Sequence, residues 1–339
     1  MKVSELRQKI KAHNQAELEQ IIVELYKVIP KARRDEKEID ALINDPEHFK
    51  KQKNSTKQDH AKIDFSTLVK EVNFFIENAY AQNYVVPNRI IPKKERSKWR
   101  FIAKRLVDQV LSFSSHPTHK QTCIEMLEEL YKLFCYGSGH YVFASQEPFE
   151  TIKISQGDFF EQIVLLKKSI EEPDRWLTDS LNLILTQSTA TYTLPNCLLV
   201  ILLGALNTAP LKERMIEITQ QLLREKRLKL GKVNWKSIDI EDEEYLNTLV
   251  TMIFITKSEL GESKEAIAFF KKHYIERTEE IKLFILLDML EADQRLEDWL
   301  DVYQDALKKK IEPRDMSQRL YHYIKVHQEF PESRHVLYD

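Results

Sequence analysis

A chain of 339 residues with a formal net charge of −2 carries no general pull toward nucleic acid or membrane, although local patches can differ. Hydrophobic residues make up 42% and charged residues 31%, enough for a real core beneath a large wetted surface. Six glycines and eleven prolines are too few for the closely spaced turns of a sheet protein, so long helices with tight connections are expected.

Taken in chain order, the apolar spacing predicts a first helix from Ser4 to Ala12 and a second opening at Asn14. Asn14 with Glu17 has capping-box spacing, and Leu18, Ile21, Ile22, Leu25, Tyr26 and Ile29 share one face before Pro30 stops the helix. A short helix near Arg34–Ile43 follows, then a polar, lysine-rich linker at 50–62. Helical spacing resumes at Phe65–Tyr80, Pro87 and Pro92 interrupt it, and a basic helix runs from about Lys94 to Phe113. The next is expected from Pro117 to Tyr136, with Gly137 as its cap. Between Gly137 and Gly157 the helical period lapses, and Tyr141–Phe143 and Ile152–Ile154 read as short strands.

Further helices are expected at Asp158–Ile170, Pro173–Gln187, Pro195–Leu206, Leu211–Leu228, Glu243–Thr256, Ser263–Tyr274, Glu279–Glu291, Leu296–Lys309 and Asp315–Glu329. Ser155 and Gly231 are entry and exit signals. The implied organisation is a helical module at 1–49, the linker at 50–62, a central helical domain at 63–256 and helix pairs at 257–339. The fold class is all-α, built from stacked antiparallel helix pairs as a helical-repeat-like α-α superhelix.

Cys123, Cys135 and Cys197 are odd in number and lack Cys-x-x-Cys spacing, which argues against a disulfide framework or a zinc site. The N-terminus is charged where a signal peptide needs an apolar run. The longest apolar stretch, Cys197–Leu206, is about half the roughly 20 residues of a membrane helix. A cytoplasmic location without membrane contact is the resulting expectation.

At an offset of 33, Ala266, Ile267, Phe270 and Tyr274 fall on Trp299, Leu300, Tyr303 and Leu307. At the same offset Leu283, Leu287 and Leu290 fall on Met316, Leu320 and Tyr323. This period resembles tetratricopeptide-type helical repeats, although Trp299 stands where those repeats prefer a small side chain. At the other end, Leu6, Ile10 and the run Glu17–Pro30 resemble the opening of a family of uncharacterised bacterial helical proteins. That resemblance implies a helical fold and a bacterial source, and no activity. The same stretch is similar to the DNA-binding SAP module, but without its inter-helix glycine and basic second helix.

Charge is the strongest local signal. From Arg89 to Arg105 the basic residues Arg89, Lys93, Lys94, Arg96, Lys98, Arg100, Lys104 and Arg105 face a single acid, Glu95, with Trp99 and Phe101 among them. Cations there would displace counterions from phosphates and rings would stack on bases, making this a candidate nucleic-acid or partner contact. The competing reading is a solvated face whose Trp99, Ile102, Ala103, Leu106 and Val110 point into the core. A second basic run, Arg224 to Lys236, is followed at once by acids, which reads as local compensation; Glu291 to Asp305 is acidic and reads as a solvated face, or alternatively as one end of a charge gradient that orients a partner or pairs two copies head to tail. Gly137–Gly157 offers a candidate binding loop at Ser138, His140 and Tyr141, or alternatively a hydrophobic plug through Phe143, Phe149 and Ile152.

His116 with His119, His322 with His327, and Glu125, Glu128, Glu129 with Asp108 lack metal-ligand spacing. Cys135 near His140 invites a thiol–imidazole pair, but a buried structural thiol is the preferred reading. No nucleophile elbow or phosphate loop occurs. The expectation is therefore a non-catalytic protein-interaction scaffold without cofactor or metal. Its binding face would be the concave side, including helices 263–329 and the 137–157 loop. A nucleic-acid binder using Lys93–Arg105 is the alternative, and an enzyme with an unrecognised site the third reading.

Overall fold

The structure is a computed structural model, and it describes residues 9–30, 34, 39–45, 64–144, 147–191, 193, 196–231 and 238–337. The start of the expected first helix, the linker at 50–62, and Lys232 to Lys236 lie outside these residues. The described residues contain helices and no strand. The chain divides into two compact units, Met1–Thr67 and Leu68–Asp339.

In the first unit, α1 (Gln15–Val28) opens with the predicted capping box. The Asn14 side chain accepts from the Glu17 amide, and the Glu17 carboxylate accepts from the Asn14 amide, each at 3.0 Å. The helix ends at Ile29, because Pro30 has no amide hydrogen to continue the ladder. The Tyr26 hydroxyl donates to Asp40 of α2 (Ile39–Asn44) at 2.7 Å, and the Arg34 guanidinium lies over the Tyr26 ring.

The second unit begins in α3 (Phe65–Tyr80), whose Leu68, Val72, Phe75 and Ala79 are buried at the i, i+3, i+4 spacing of an amphipathic helix. The expected basic helix is broken into α4 (Lys93–Arg96) and α5 (Trp99–Phe113), joined by Ser97 and Lys98. Next, α6 (Lys120–Gly139) starts later than Pro117 and runs past Gly137. A Cβ on Gly137 would stand 2.8 Å from Val142 Cγ2 and 3.0 Å from Pro148 Cγ. Glycine is therefore there to let the returning chain approach, and it is not the cap; that position is His140. The expected strands are replaced by a bend at 142–144 and by α7 (Pro148–Ile152), with Val142, Phe143, Phe149 and Ile152 all buried. The plug reading of Phe143, Phe149 and Ile152 holds.

The array continues through α8 (Gln156–Lys168), α9 (Pro173–Thr186), α10 (Cys197–Ala205), α11 (Ala209–Leu230) and α12 (Ile240–Glu259). It finishes with α13 (Ser263–His273), α14 (Glu279–Ala292), α15 (Leu296–Lys308) and α16 (Asp315–His327). Ser155 caps α8 by accepting from the Asp158 amide, and Gly231 ends α11 at a φ of 66°, where a side chain would be strained. Helices pack on a sequence neighbour or next neighbour: α5 on α6, α6 on α8, α8 on α10, α9 on α11, α11 on α12, α12 on α13, and α14 on α15. This is the packing of stacked helix pairs, a helical-repeat-like all-α fold. No helix among the described residues is long and apolar enough to cross a membrane.

Helices α13 and α15 start 33 residues apart, at Ser263 and Leu296, and the buried Ala266 and Phe270 of the first hold the places that the buried Trp299 and Tyr303 hold in the second. Their partners α14 and α16 start 36 apart, at Glu279 and Asp315. At the offset of 33, Leu287 and Leu320 are both buried, whereas the buried Leu283 and Leu290 fall on Met316 and Tyr323, which are half-buried.

Two buried amides pin loops to the array. Gln156 donates to the Ser188 carbonyl at 3.0 Å and accepts from the Ala190 amide at 2.8 Å. Asn247 of α12 donates to the Ile275 carbonyl at 2.9 Å and accepts from the Ile275 amide at 2.8 Å. Both satisfy backbone groups that would otherwise be orphaned away from water.

A third tie joins α11 to the end of α13. Arg227 donates from one guanidinium nitrogen to His273 Nδ1 at 2.7 Å and from another to the His273 carbonyl at 3.0 Å. Nδ1 accepts only in the neutral ring, and burial, then the charges of Arg227, Lys272 and Lys282, hold the imidazole below its ordinary pKa. A folded value below the unfolded one means that the unfolded chain takes up the proton first. Stability is then full above about pH 6.5 and is lost as pH falls through and below that value. Denaturant unfolding measured from neutral pH downward is expected to show this loss, and His273→Gln, which keeps an acceptor but cannot titrate, is expected to flatten it.

Candidate functional site

The basic stretch separates into two groups. Arg96 donates to the carbonyls of Ile91 (3.1 Å) and Asn88 (3.2 Å) and closes the loop before α4. Lys98 pairs with Glu95 at 3.1 Å, and Arg105 bridges to Glu71 of α3 at 2.8 Å and to Gln109 at 2.9 Å. These three are structural. Lys93, Lys94 and Lys104 are exposed with no ion pair among the described residues, as is Arg89 in the preceding loop. Arg100 lies over the Phe101 ring, 4.7 Å from its centre. Trp99 is 2% exposed and stacks on Phe143 at 3.9 Å, so it belongs to the core, as Ala103, Leu106 and Val110 do, whereas Phe101 is 57% exposed.

The candidate loop residues sit at the end of α6. The Ser138 hydroxyl donates to the Phe134 carbonyl at 3.1 Å, as helical serines do. The His140 ring stacks on Tyr136 at 3.9 Å, and Tyr136 in turn lies 5.5 Å from Tyr80. Burial, then the Glu129 charge, raises the Tyr80 phenol above its ordinary pKa, so it stays a hydroxyl at neutral pH. Tyr141 is 57% exposed, and its carbonyl accepts from Gln82 at 3.2 Å. These rings form a surface ledge; Ser138 takes part only as backbone support.

The chemistry weighed around cysteine and carboxylate is taken up by the core. Cys135 is buried, its sulfur receives the Gln156 amide at 3.2 Å, and burial pushes the thiol up to about 12. It is therefore protonated and sealed from His140, which stacks at the surface. His119 packs edge to face with His116 and with Phe113, and His116 lies tilted against Phe113. Among the described residues no three His, Cys, Asp or Glu side chains are grouped as a metal ion would require. Of the acidic residues considered, Glu125 accepts from Gln121 and Glu129 pairs with Lys132.

Glu128 meets a residue that sequence reasoning missed. Lys167 of α8 is 3% exposed and holds Glu128 at 2.5 Å, Asp179 of α9 at 3.0 Å and Glu171 at 3.4 Å. Burial alone would lower its pKa; the hydrogen bonds and charges of Glu128 and Asp179 outweigh it and raise the ammonium above the usual range. Both Glu171 carboxylate oxygens are buried without a hydrogen bond, leaving the Lys167 charge as their nearest compensation. The i, i+4 spacing of Lys167 and Glu171 was visible in the chain, but the 39 residues between Glu128 and Lys167 were not bridged by any local pattern. A cation fixed among three carboxylates has no lone pair to offer as base or nucleophile, so this cluster is a joint between helices.

At the other end, a cleft of about 170 Å³ opens where the end of α13, the start of α14 and the end of α15 meet. Its floor is Leu283, Leu286, Val302 and Ala306, with Ile311 at one side. On the rim, Lys271 (2.8 Å) and Lys309 (3.0 Å) both bind Asp305, whose carboxyl they hold down at about 2. Lys282 forms no ion pair among the described residues. Through Glu279 and Ile311 the cleft continues into a shallower depression of about 580 Å³ beside Pro313, Arg314 and Gln318. Lys226 pairs with Asp242, the local compensation expected of that run, and in the acidic stretch Arg295 pairs with Asp298 and Arg334 with Glu291. Compared with protein-family models, curated proteins and solved structures, the chain matches none.

Proposed function

We propose that the second unit is a non-catalytic scaffold that binds a protein partner, and that the cleft at α13–α15 is where the partner docks. The observation that carries this reading is the combination in that cleft: an apolar floor, a rim of lysines around Asp305, and a continuation past Glu279 and Ile311 into the neighbouring depression. An apolar side chain of the partner would enter the floor, while Lys282 and the Asp305 cluster would meet polar groups beside it. The likeness of this region to tetratricopeptide-type pairs belongs to the same reading, since stacked pairs present extended binding surfaces. The sealed Cys135, and a Lys167 saturated by carboxylates, support binding over catalysis.

The test is a pull-down from the source cell with the full chain and with the variant Lys282→Glu plus Ile311→Asp. Both positions are partly exposed, so the variant is expected to unfold at an unchanged temperature. One protein enriched stoichiometrically by the native chain and lost with the variant is the expected result. Enrichment that is equal for both, or absent for the native chain, contradicts the docking site.

A further inference from the structure

We propose that the surface formed by the head of α5, the end of α3 and the end of α6 binds single-stranded nucleic acid, independently of the α13–α15 cleft. Such a surface needs cations free to neutralise phosphates and ring faces free to stack on bases. The cations are Lys93, Lys94, Arg100 and Lys104, all exposed and none held in an ion pair among the described residues. Of the nearby acids, Glu95 is engaged by Lys98, Glu71 by Arg105 and Glu129 by Lys132, while Glu77 on α3 and Asp108 on α5 form no ion pair among the described residues. Outside these pairs the four cations outnumber the two acids, so the local field is positive although the whole chain is near neutral.

The rings are Phe101, Tyr80, Tyr136 and Tyr141, each at least 40% exposed. Phe101 adjoins Arg100, and two contacts tie the segments that carry the tyrosines to the head of α5. Trp99, at the head of α5, stacks on Phe143, two residues from Tyr141. The Tyr141 carbonyl takes its hydrogen bond from Gln82, two residues beyond Tyr80, whose ring neighbours Tyr136. The buried Trp99–Phe143 stack thus works as the rivet that holds a basic helix start against an aromatic ledge. Stacking of His140 on Tyr136 holds that ring before any ligand arrives, and the Arg100 guanidinium over Phe101 offers a second flat cation. In a duplex the base faces already cover one another, so exposed rings favour unpaired strands, whichever the sugar.

The experiment is fluorescence anisotropy of the full chain with a labelled oligouridylate and a labelled oligothymidylate of about 20 nucleotides, and with a duplex of the same length, between about 50 and 200 mM salt. Four phosphate contacts on a single strand predict a slope of log K against log salt near −3, a loss of about 50-fold across that range. Lys94→Glu with Arg100→Glu is expected to weaken binding and reduce the slope by about 1.4. Tyr141→Ala and Tyr136→Ala are expected to weaken it about 5- to 150-fold each with the slope unchanged. Tyr141 is the more exposed of the two, so its variant keeps the test sound if Tyr136→Ala unfolds. Failure to bind either single strand at the lowest salt overturns the proposal. Tighter binding to the duplex overturns it too, as do ring variants that bind like the native chain, since those leave only unspecific polyanion contact.

Discussion

Replacing Lys167 by methionine is expected to destabilise the second unit by about 3–5 kcal/mol, the usual result of removing one partner from a buried ion cluster. The stem of lysine is well matched in volume by methionine, so the loss is electrostatic and does not come from a cavity. What remains is Glu128, Glu171 and Asp179 facing one another, with Arg175, 3.9 Å from both Glu171 and Asp179, the one other cation paired with them among the described residues. Glu171 suffers most, because its side chain is sealed from water and has no hydrogen bond in reserve. Equilibrium unfolding in urea is the check: the midpoint should drop while the dependence on denaturant stays the same. Adding Glu171→Gln to Lys167→Met is expected to recover part of the loss, since a neutral amide is far less costly to bury than a bare carboxylate. A single variant as stable as the native chain would mean that water reaches the cluster and that α6, α8 and α9 are joined by apolar packing alone.

The second large effect is expected from Phe143→Ala, at about 3–5 kcal/mol. Phe143 is buried and touches four rings: Trp99 at 3.9 Å, Phe75 at 6.0 Å, Tyr84 at 6.1 Å and Phe134 at 6.4 Å between centres. These belong to α3 and the loop after it, to α5 and to α6, so one side chain closes the junction of three helices. Truncating it leaves a void that rigid neighbouring rings fill poorly. Two residues earlier, Tyr141→Ala is expected to change stability by no more than about 0.5 kcal/mol, because that ring faces solvent. Thermal unfolding of the pair checks the contrast. Equal effects would show that the 140–143 bend is either wholly a surface loop or wholly core.

What could be read in advance was local. Asn14 and Ser155 cap their helices as expected, Gly231 adopts the left-handed angle that ends α11, and the apolar face of α3 is buried in register. These features follow from hydrogen bonds and side-chain spacing within one or two turns. The lapse of helical period after Tyr136 was visible too, but its meaning was not. Gly137 is governed by Val142 and Pro148 coming back onto it, a tertiary approach that propensity reads as a helix stop. The same limit applies to the basic stretch. Arg96, Lys98 and Arg105 look like their neighbours in the chain, and only the positions of Ile91, Glu95 and Glu71 set them apart as structural. Beyond the i, i+4 pair of Lys167 with Glu171, the Lys167 cluster and the α13–α15 cleft left no local mark, since each depends on helices far apart in sequence coming together.

Site-specific photocrosslinking tests the docking cleft most directly. A photoreactive side chain placed at Ile311, on the cleft wall, is compared with one at Leu228 on α11, which is 81% exposed and away from the cleft. With the full chain in an extract of its source cell, Ile311 is predicted to yield one dominant protein adduct that Leu228 does not. The same adducts from both positions, or none from Ile311, would contradict a partner-binding cleft between α13 and α15.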